Sequence, residues 1–329
     1  MLKIHLKCPC GSGYFIKYGG RRRQCVRCGR TKTIRPKKRG RKRLRASADL
    51  IERYFSKTIS TIRILARKTH WGRDRAQNMM RRSLTRYVAL HKERPIAFLP
   101  GQEPLIAIAD AIWHKLNGQK LTIYLILLRP ITDNKAIIML PVFVRGHEDR
   151  RGWEHCLRML PSWLKKRICA LICDGQMALV AYGYRQGWAV QRCHFHLLAN
   201  LEMYLGHRNH PRALALLNLV RELISSTNTK RINHLLCEIR KARVASRSKG
   251  IRRVLSGLQT NYRDFQTYLR YPKLHLPTTT NTAESCINGV RELMRRCRGF
   301  RNEKALRLWI TGYILWKKTI RCNGKNQQK

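Results

Sequence analysis

Ile168-Cys-Ala-Leu-Ile-Cys-Asp-Gly175 is an apolar run of strand length closed by an Asp-Gly pair. A run of this kind, bounded by turn residues, reads as a buried strand. A helical pattern follows over Gln176–Gln186, and a second strand-like run over Trp188–Cys193. Strand, helix and strand in succession form a parallel crossover. Working upstream, Leu105–Asp110, Leu121–Leu128 and Ala136–Val144 are apolar runs separated by the hairpin signals Asn117-Gly118 and Asp133-Asn134. A helical stretch over 150–165 completes the order β-β-β-α-β-α-β. Three antiparallel strands and two parallel ones make a mixed sheet of the α/β class. Such a sheet can bring Asp110, at the end of the first strand, beside Asp174, at the end of the fourth.

The chain has 329 residues, which suits two or three domains. Its 69 Lys+Arg against 18 Asp+Glu give a formal net charge of +51. Charge of this size points to nucleic acid as the partner, because clustered Lys and Arg neutralise phosphates and release counterions, and the helix-turn-helix outline over 47–95 makes double-stranded DNA the expected form. No apolar run approaches the roughly 18 residues that span a bilayer, so no membrane partner is expected. Four of the 12 cysteines cluster at Cys8, Cys10, Cys25 and Cys28, and the others sit in apolar or helical contexts. Met1–Lys7 has no long apolar core and no cleavage site. Free thiols or metal ligands in the cytoplasm, alongside the nucleoid, are therefore expected rather than disulfides.

Residues 1–35 read as a zinc ribbon. Cys25-Val-Arg-Cys28 is a Cys-x-x-Cys knuckle, and Cys8-Pro-Cys10 is one residue short of its usual partner, leaving His5 as an alternative to Cys10. So short a segment buries too little to fold alone, which makes one structural Zn²⁺ its organiser. Residues 36–46 are a basic linker whose Arg41, Lys42 and Arg43 would track phosphates. Over 47–95 the pattern is helical. Ser47-Ala-Asp49 can cap a first helix; Ile59, Ile62, Leu65 and Ala66 fall at helical spacing; Thr69–Gly72 breaks the pattern; Ala76, Met79, Met80, Leu84 and Tyr87 carry the next helix. This is the outline of a helix-turn-helix DNA-binding domain, with Arg73, Arg75 and Gln77 early in the second helix as base contacts.

Thr278-Thr-Thr-Asn-Thr-Ala-Glu-Ser-Cys-Ile-Asn288 puts one carboxylate, Glu284, at the polar start of another helix. A strand-end aspartate alone is more often a cap or turn residue. Asp110, Asp174 and Glu284 together, each where an element ends or begins, suit a three-carboxylate site. Cleaving a phosphodiester needs an activated nucleophile and relief of charge on the leaving oxygen, which two divalent cations supply. Mg²⁺ and Mn²⁺ take oxygen ligands, hence carboxylates. Of the other acids, Asp133 reads as a turn residue, Glu148 and Asp149 as solvated or DNA-edge groups, and Glu292 and Glu303 as helix-face ion pairs. Residues 197–277 read as a helical insertion, and 283–320 as a helical tail packed through Leu306, Trp309, Ile310, Tyr313, Ile314 and Trp316. Cys193 and His196 admit three readings: structural positioning, DNA contact, or a metal site lacking a second Cys/His pair.

The succession Ile108-Ala-Asp110, Cys173-Asp-Gly175, Cys193-His-Phe-His196 and Thr279–Asn288 resembles the Mutator-like group of DDE transposases, which includes many bacterial insertion-sequence transposases. The resemblance covers residues 100–320. It implies an RNase H-like catalytic domain with the helical insertion before the glutamate, and Asp110, Asp174 and Glu284 as catalytic ligands of two Mg²⁺ or Mn²⁺. It also places Cys193 and His196 near the active site, along with Asn281 and Asn288 of the Thr-Asn-x-x-Glu-x-x-x-Asn motif. Arg295-Arg-Cys-Arg-Gly-Phe-Arg301 resembles the basic stretch after the glutamate, with Arg295, Arg296 and Arg298 as DNA contacts. The segment around the N-terminal cysteines is similar to the zinc ribbons that precede several such transposases. The activity implied is binding of terminal inverted repeats, strand cleavage and strand transfer, with a homodimer or larger assembly to join two ends. A nuclease of the same fold without strand transfer, or a DNA-binding regulator with a degenerate catalytic fold, are the alternatives.

Overall fold

The computed structural model describes residues 7–19, 22–33, 48–99, 101–206, 210–300 and 302–322. Arg41, Lys42, Arg43, His5 and Arg301 lie outside them. The chain divides into two units, Met1–Ser47 and Ala48–Lys329.

In the first unit β1 (Phe15–Lys17), β2 (Arg22–Cys25) and β3 (Thr31–Thr33) form an antiparallel sheet in that order. One tight turn precedes β1 and another joins β2 to β3. Gly11 and Gly29, both at positive φ (84° and 70°), donate to the carbonyls of Cys8 and Cys25 and so fold each cysteine pair back on itself.

The second unit begins with α1 (Ala48–Phe55), α2 (Ile62–Thr69), α3 (Arg73–His91) and α4 (Arg94–Ala97). His70, left-handed at φ 53°, closes α2, and Gly72 opens α3. The expected break at Thr69–Gly72 is thus a real turn between two helices. The sheet follows: β4 (Leu105–Leu116), β5 (Gln119–Pro130), β6 (Lys135–Ile138), β7 (Val142–Arg145), then α5 (Arg150–Arg158), α6 (Ser162–Arg167), β8 (Ile168–Cys173), α7 (Met177–Arg185) and β9 (Ala189–Arg192). Asn117 and Gly118, at φ 49° and 82°, make the two-residue β4–β5 hairpin turn. The insertion contains α8 (His194–Leu205), α9 (Pro211–Ser225), α10 (Thr229–Ala245), α11 (Lys249–Phe265) and α12 (Thr267–Arg270). The chain then forms α13 (Asn281–Arg296), α14 (Glu303–Lys317) and β10 (Thr319–Arg321).

Strand order is β10-β6-β5-β4-β8-β9, with β7 also on β5; β4–β8 and β8–β9 are parallel and the other pairs antiparallel. Three local expectations are corrected. The apolar run 136–144 forms two short strands, because it crosses Pro141, which has no N–H for a ladder. The helical stretch 150–165 divides at Pro161, which precedes α6. The tail over 283–320 is two helices separated by Arg298 and Gly299 at positive φ, and Thr319–Arg321 pairs with β6 as a strand.

Alternation along the strands sorts the core into two faces. Ile106, Ile108, Ala170 and Ile172 pack with α1–α3, α13 and α14, whereas Leu105, Ala107, Ala109, Leu171 and Cys173 pack with α5–α7. Asp110 and Asp174 continue the first series. Both therefore fall on the side of the sheet that α13 covers. A third core, built from Leu201, Val220, Leu235, Leu255 and their neighbours, holds the insertion together. The helices α1–α3 pack on one another and share one core with α13 and α14. Tyr54, Phe55, Met80 and Leu84 pack with Trp309, Ile310 and Tyr313 of α14.

Candidate active site

β4 and β8 are parallel with Ile108 opposite Ile172, so two residues on, the register carries Asp110 and Asp174 to neighbouring positions. Adjacent strands are roughly 4.8 Å apart, which sets the scale of their separation. Each aspartate is oriented by the backbone. Asp110 accepts from Ala111 N at 2.8 Å, and Asp174 accepts from Gln176 N at 2.9 Å. Glu284 sits in the first turn of α13, the positive end of a helix, where a carboxylate is favoured.

Asp110 is 8% exposed. Its carboxyl pKa is pushed up to about 7, first by burial and further by the charges of Asp174 and Glu284, against the opposing pull of His196 and of the Ala111 N–H. A buried carboxyl repelled by two others is a group that a cation would relieve. The donors are hard oxygens, suited to Mg²⁺ or Mn²⁺.

Cys193 and His196 dock on the start of α13. Cys193 N donates to Cys173 O at 2.8 Å, tying the end of β9 to the end of β8. His194 N donates to Thr278 O at 2.9 Å, which joins α8 to the loop before α13. Thr280, fully buried, is the hub: its N–H and hydroxyl both donate to the Cys193 sulfur, at 3.3 and 3.4 Å. The same hydroxyl lies 3.3 Å from His196 Nδ1 and 3.4 Å from Glu284 Oε1. Ligand atoms of Cys193, His196 and Glu284 all fall within 4.8 Å of one another. His196 is pushed up to about 9, chiefly by its hydrogen bond to Cys193 and by the charges of Cys193, Asp110 and Asp174, with burial opposing.

Sequence reasoning missed Thr280 and the contribution of Glu148. Thr280's signal was its position four residues before Glu284, one helical turn. Glu148 is exposed, as expected of a solvated group, and its carboxylate also accepts from Trp153 Nε1 at 2.7 Å; its pKa is raised, first by desolvation and then by Asp174. Asp149 caps α5 through Gly152 N, and Asp133 holds its turn through Lys135 N. Glu303 pairs with Arg307 one turn on and with Arg145, whereas Glu292 reaches Lys57 across to the segment after α1.

The other expected residues are dispersed. Asn281 is exposed at the start of α13, and Asn288 accepts from Arg291 at 3.1 Å. Arg295 is exposed, while Arg296 donates to the Tyr54 carbonyl at 3.0 Å and lies over the Tyr54 ring, so it fastens α13 to α1. Arg73, Gln77 and Arg298 line one groove of about 650 Å³ between α3 and the start of α14. A second groove between the same helices carries Arg81, Arg82, Arg86 and Lys304 and, among the described residues, no carboxylate. Arg75 is exposed, with its guanidinium 5.2 Å from the centroid of the Trp71 ring.

In the first unit the sulfurs of Cys8, Cys10, Cys25 and Cys28 lie within 4.8 Å of one another. Cys8–Cys28 and Cys10–Cys25 are 3.5 and 3.6 Å apart, too far for S–S bonds and close to the edge of a tetrahedron of thiolates about 2.3 Å from zinc. Desolvation raises the Cys25 thiol, but the backbone N–H groups of Cys28 and Arg27 and the thiols of Cys10 and Cys8 outweigh it and draw it down to about 6.

Among the described residues no helix is long and apolar enough to cross a membrane. Comparison with curated proteins gives no match. Comparison with protein families matches residues 105–314, from the first residue of β4 into α14 and across all three carboxylates, to Transposase, Mutator family. The chain belongs to the Mutator family of transposases.

Proposed function

We propose that this chain is a DNA transposase that binds the terminal inverted repeats of its element, cleaves the strand at their ends and transfers it to target DNA. The observation that supports the reading is that Asp110 is raised to about 7 by burial and by the charges of Asp174 and Glu284, the behaviour expected of carboxylates that share a site. The strand order and the helical insertion before Glu284 support an RNase H-like catalytic domain over 100–320. The four clustered sulfurs support a zinc ribbon over 1–35, joined by a basic linker over 36–46. The α2–turn–α3 geometry supports a helix-turn-helix over 47–95.

In this reading Asp110, Asp174 and Glu284 hold two Mg²⁺ or Mn²⁺. When bound, the metals supply an activated water and charge relief on the leaving oxygen. The chain's own groups orient the site. Thr280 fixes Glu284, Cys193 and His196 relative to one another, and the N–H groups of Ala111 and Gln176 aim the two aspartates. Arg73, Gln77 and Arg298 share a groove in which base and phosphate contacts would be made together. Joining two ends calls for a homodimer or larger assembly.

The test is incubation of the full chain with duplexes from the DNA that brackets its gene, in Mg²⁺, with a supercoiled target present. Nicking at the repeat end followed by joined product supports the reading, and Asp174→Asn should abolish both while end binding persists, because phosphate contacts come from Lys and Arg. Cleavage without joined product would leave a nuclease. End binding without metal-dependent cleavage would leave a regulator.

A further inference from the structure

β9 ends on Arg192, opposite Cys173 and so beside the turn that carries Asp174. The guanidinium lies over the Phe265 ring of α11, 4.8 Å from its centroid. It also rests on Gly175, which has φ +99°; a Cβ there would come within 2.4 Å of Nε and Nη2. A side chain there would push the guanidinium aside, and the positive φ would strain any residue but glycine. The buried Nε meets no hydrogen-bond acceptor among the described residues. Asp264, the carboxylate next to Phe265 in the chain, is instead bonded by the Tyr184 hydroxyl. Arg192 is half-buried and lines a groove, so a guanidinium held between a ring and a glycine can present its remaining N–H groups to an anion there.

The surroundings indicate which anion. Arg192 lines a groove of about 500 Å³ that runs from Asp174 between α8 and α11, with Asn200 and the exposed Arg253 further along it. Among the described residues Asp174 is the one carboxylate in its lining. A space of this volume accepts a ligand of small-molecule size, one or two nucleotides of a single strand and not a duplex. Basic grooves with aromatic walls are the usual track of a single strand.

We infer that this groove binds the backbone of the DNA strand being cut, with Arg192 on the phosphate next to the scissile one and Arg253 on the phosphate beyond it. The inference rests on the transposase reading and deepens it by giving the helical insertion a role. In it, α8 and α11 form the wall that steers the strand past Asp174.

The experiment measures binding of the full chain to end-containing duplexes in Ca²⁺ over a series of salt concentrations, using duplexes with a single neutral methylphosphonate stepped along the cut strand. In wild type, a methylphosphonate next to the scissile phosphate should weaken binding about tenfold, as for loss of one charge-assisted hydrogen bond. In Arg192→Gln the same substitution should cost nothing further, and Arg253→Gln should lose sensitivity at the following position. Each variant should also flatten the dependence of log K on log salt by about 0.7–0.9, one phosphate contact. Arg253 is exposed, so its variant tests the groove without risk to folding, and Arg192→Lys should keep the salt slope while losing part of the affinity. Equal methylphosphonate penalties in wild type and both variants would overturn the inference, as would a free mononucleotide competing as well as the strand. Wild-type cleavage of the same duplexes in Mg²⁺ tests the transposase reading separately.

Discussion

His196 Nδ1 lies 3.7 Å from Glu284 Oε1, which places a cation-forming ring against the carboxylate cluster. With its pKa raised from 6.5 to about 9, the folded chain holds a proton there that the unfolded chain releases. The stability it contributes is fully present below pH 6.5 and is lost as pH rises through about 9. Asp110 acts with the same sign in a lower window, from its ordinary 3.8 to about 7, since folding again favours the protonated form. Burial lowers the pKa of His91, His114 and His194, which act with the opposite sign, so the contribution of these two groups is read by difference: the stability advantage of metal-free wild type over His196→Gln should shrink as pH rises toward about 9, and Mg²⁺ should raise the melting temperature more at about pH 8 than at about pH 5 because it competes with these protons. Calorimetry at both pH values checks this. A wild-type advantage over His196→Gln that grows with pH in metal-free buffer would count against it.

Thr280 joins Cys193, His196 and Glu284 through one hydroxyl, so Thr280→Val keeps the shape and removes the link. Losses of this kind around metal ligands are about 10–100-fold in activity or metal affinity. Cleavage rate as a function of Mg²⁺ concentration should show such a loss in Thr280→Val, with Thr280→Ser restoring most of it. A valine variant with wild-type metal dependence would remove Thr280 from the positioning network.

Trp309 packs against Tyr54 with ring centroids 4.9 Å apart and against Phe55 at 6.4 Å. Trp309→Ala should destabilise the second unit by about 3–5 kcal/mol. By the same packing, a fragment ending near residue 100 would expose Tyr54, Phe55, Met80 and Leu84 and should not fold alone, whatever its DNA preference. Urea unfolding of the variant and circular dichroism of the fragment are the checks. A cooperatively melting fragment would show that α1–α3 do not depend on α14.

The four clustered sulfurs predict close to one zinc per chain by elemental analysis. Cys25→Ser combined with Cys28→Ser should lose that zinc and the order of β1–β3, and should weaken end-specific binding while leaving the second unit's melting transition in place. Unchanged zinc content in the double variant would move the metal elsewhere.

The sequence by itself determined the features that depend on neighbours in the chain. Apolar runs of strand length, the Asn117-Gly118 turn, the break at Thr69–Gly72 and the cysteine spacing all report local conformational preference or ligand geometry. Parity along β4 and β8 then sends Asp110 and Asp174 to one face, and the motif order around Glu284 carried the family resemblance. Tertiary structure alone decided the rest. Thr319–Arg321 becomes a strand because β6 offers it an open edge, against a helical pattern in the residues before it. α1–α3 share a core with α14, and that packing brings Arg73 and Gln77 into one groove with Arg298. Thr280 and Arg192 acquire their partners, Cys193 and Phe265, from distant parts of the chain. Contacts of that separation follow from how whole elements pack, since no local preference encodes which helix will close over which strand end.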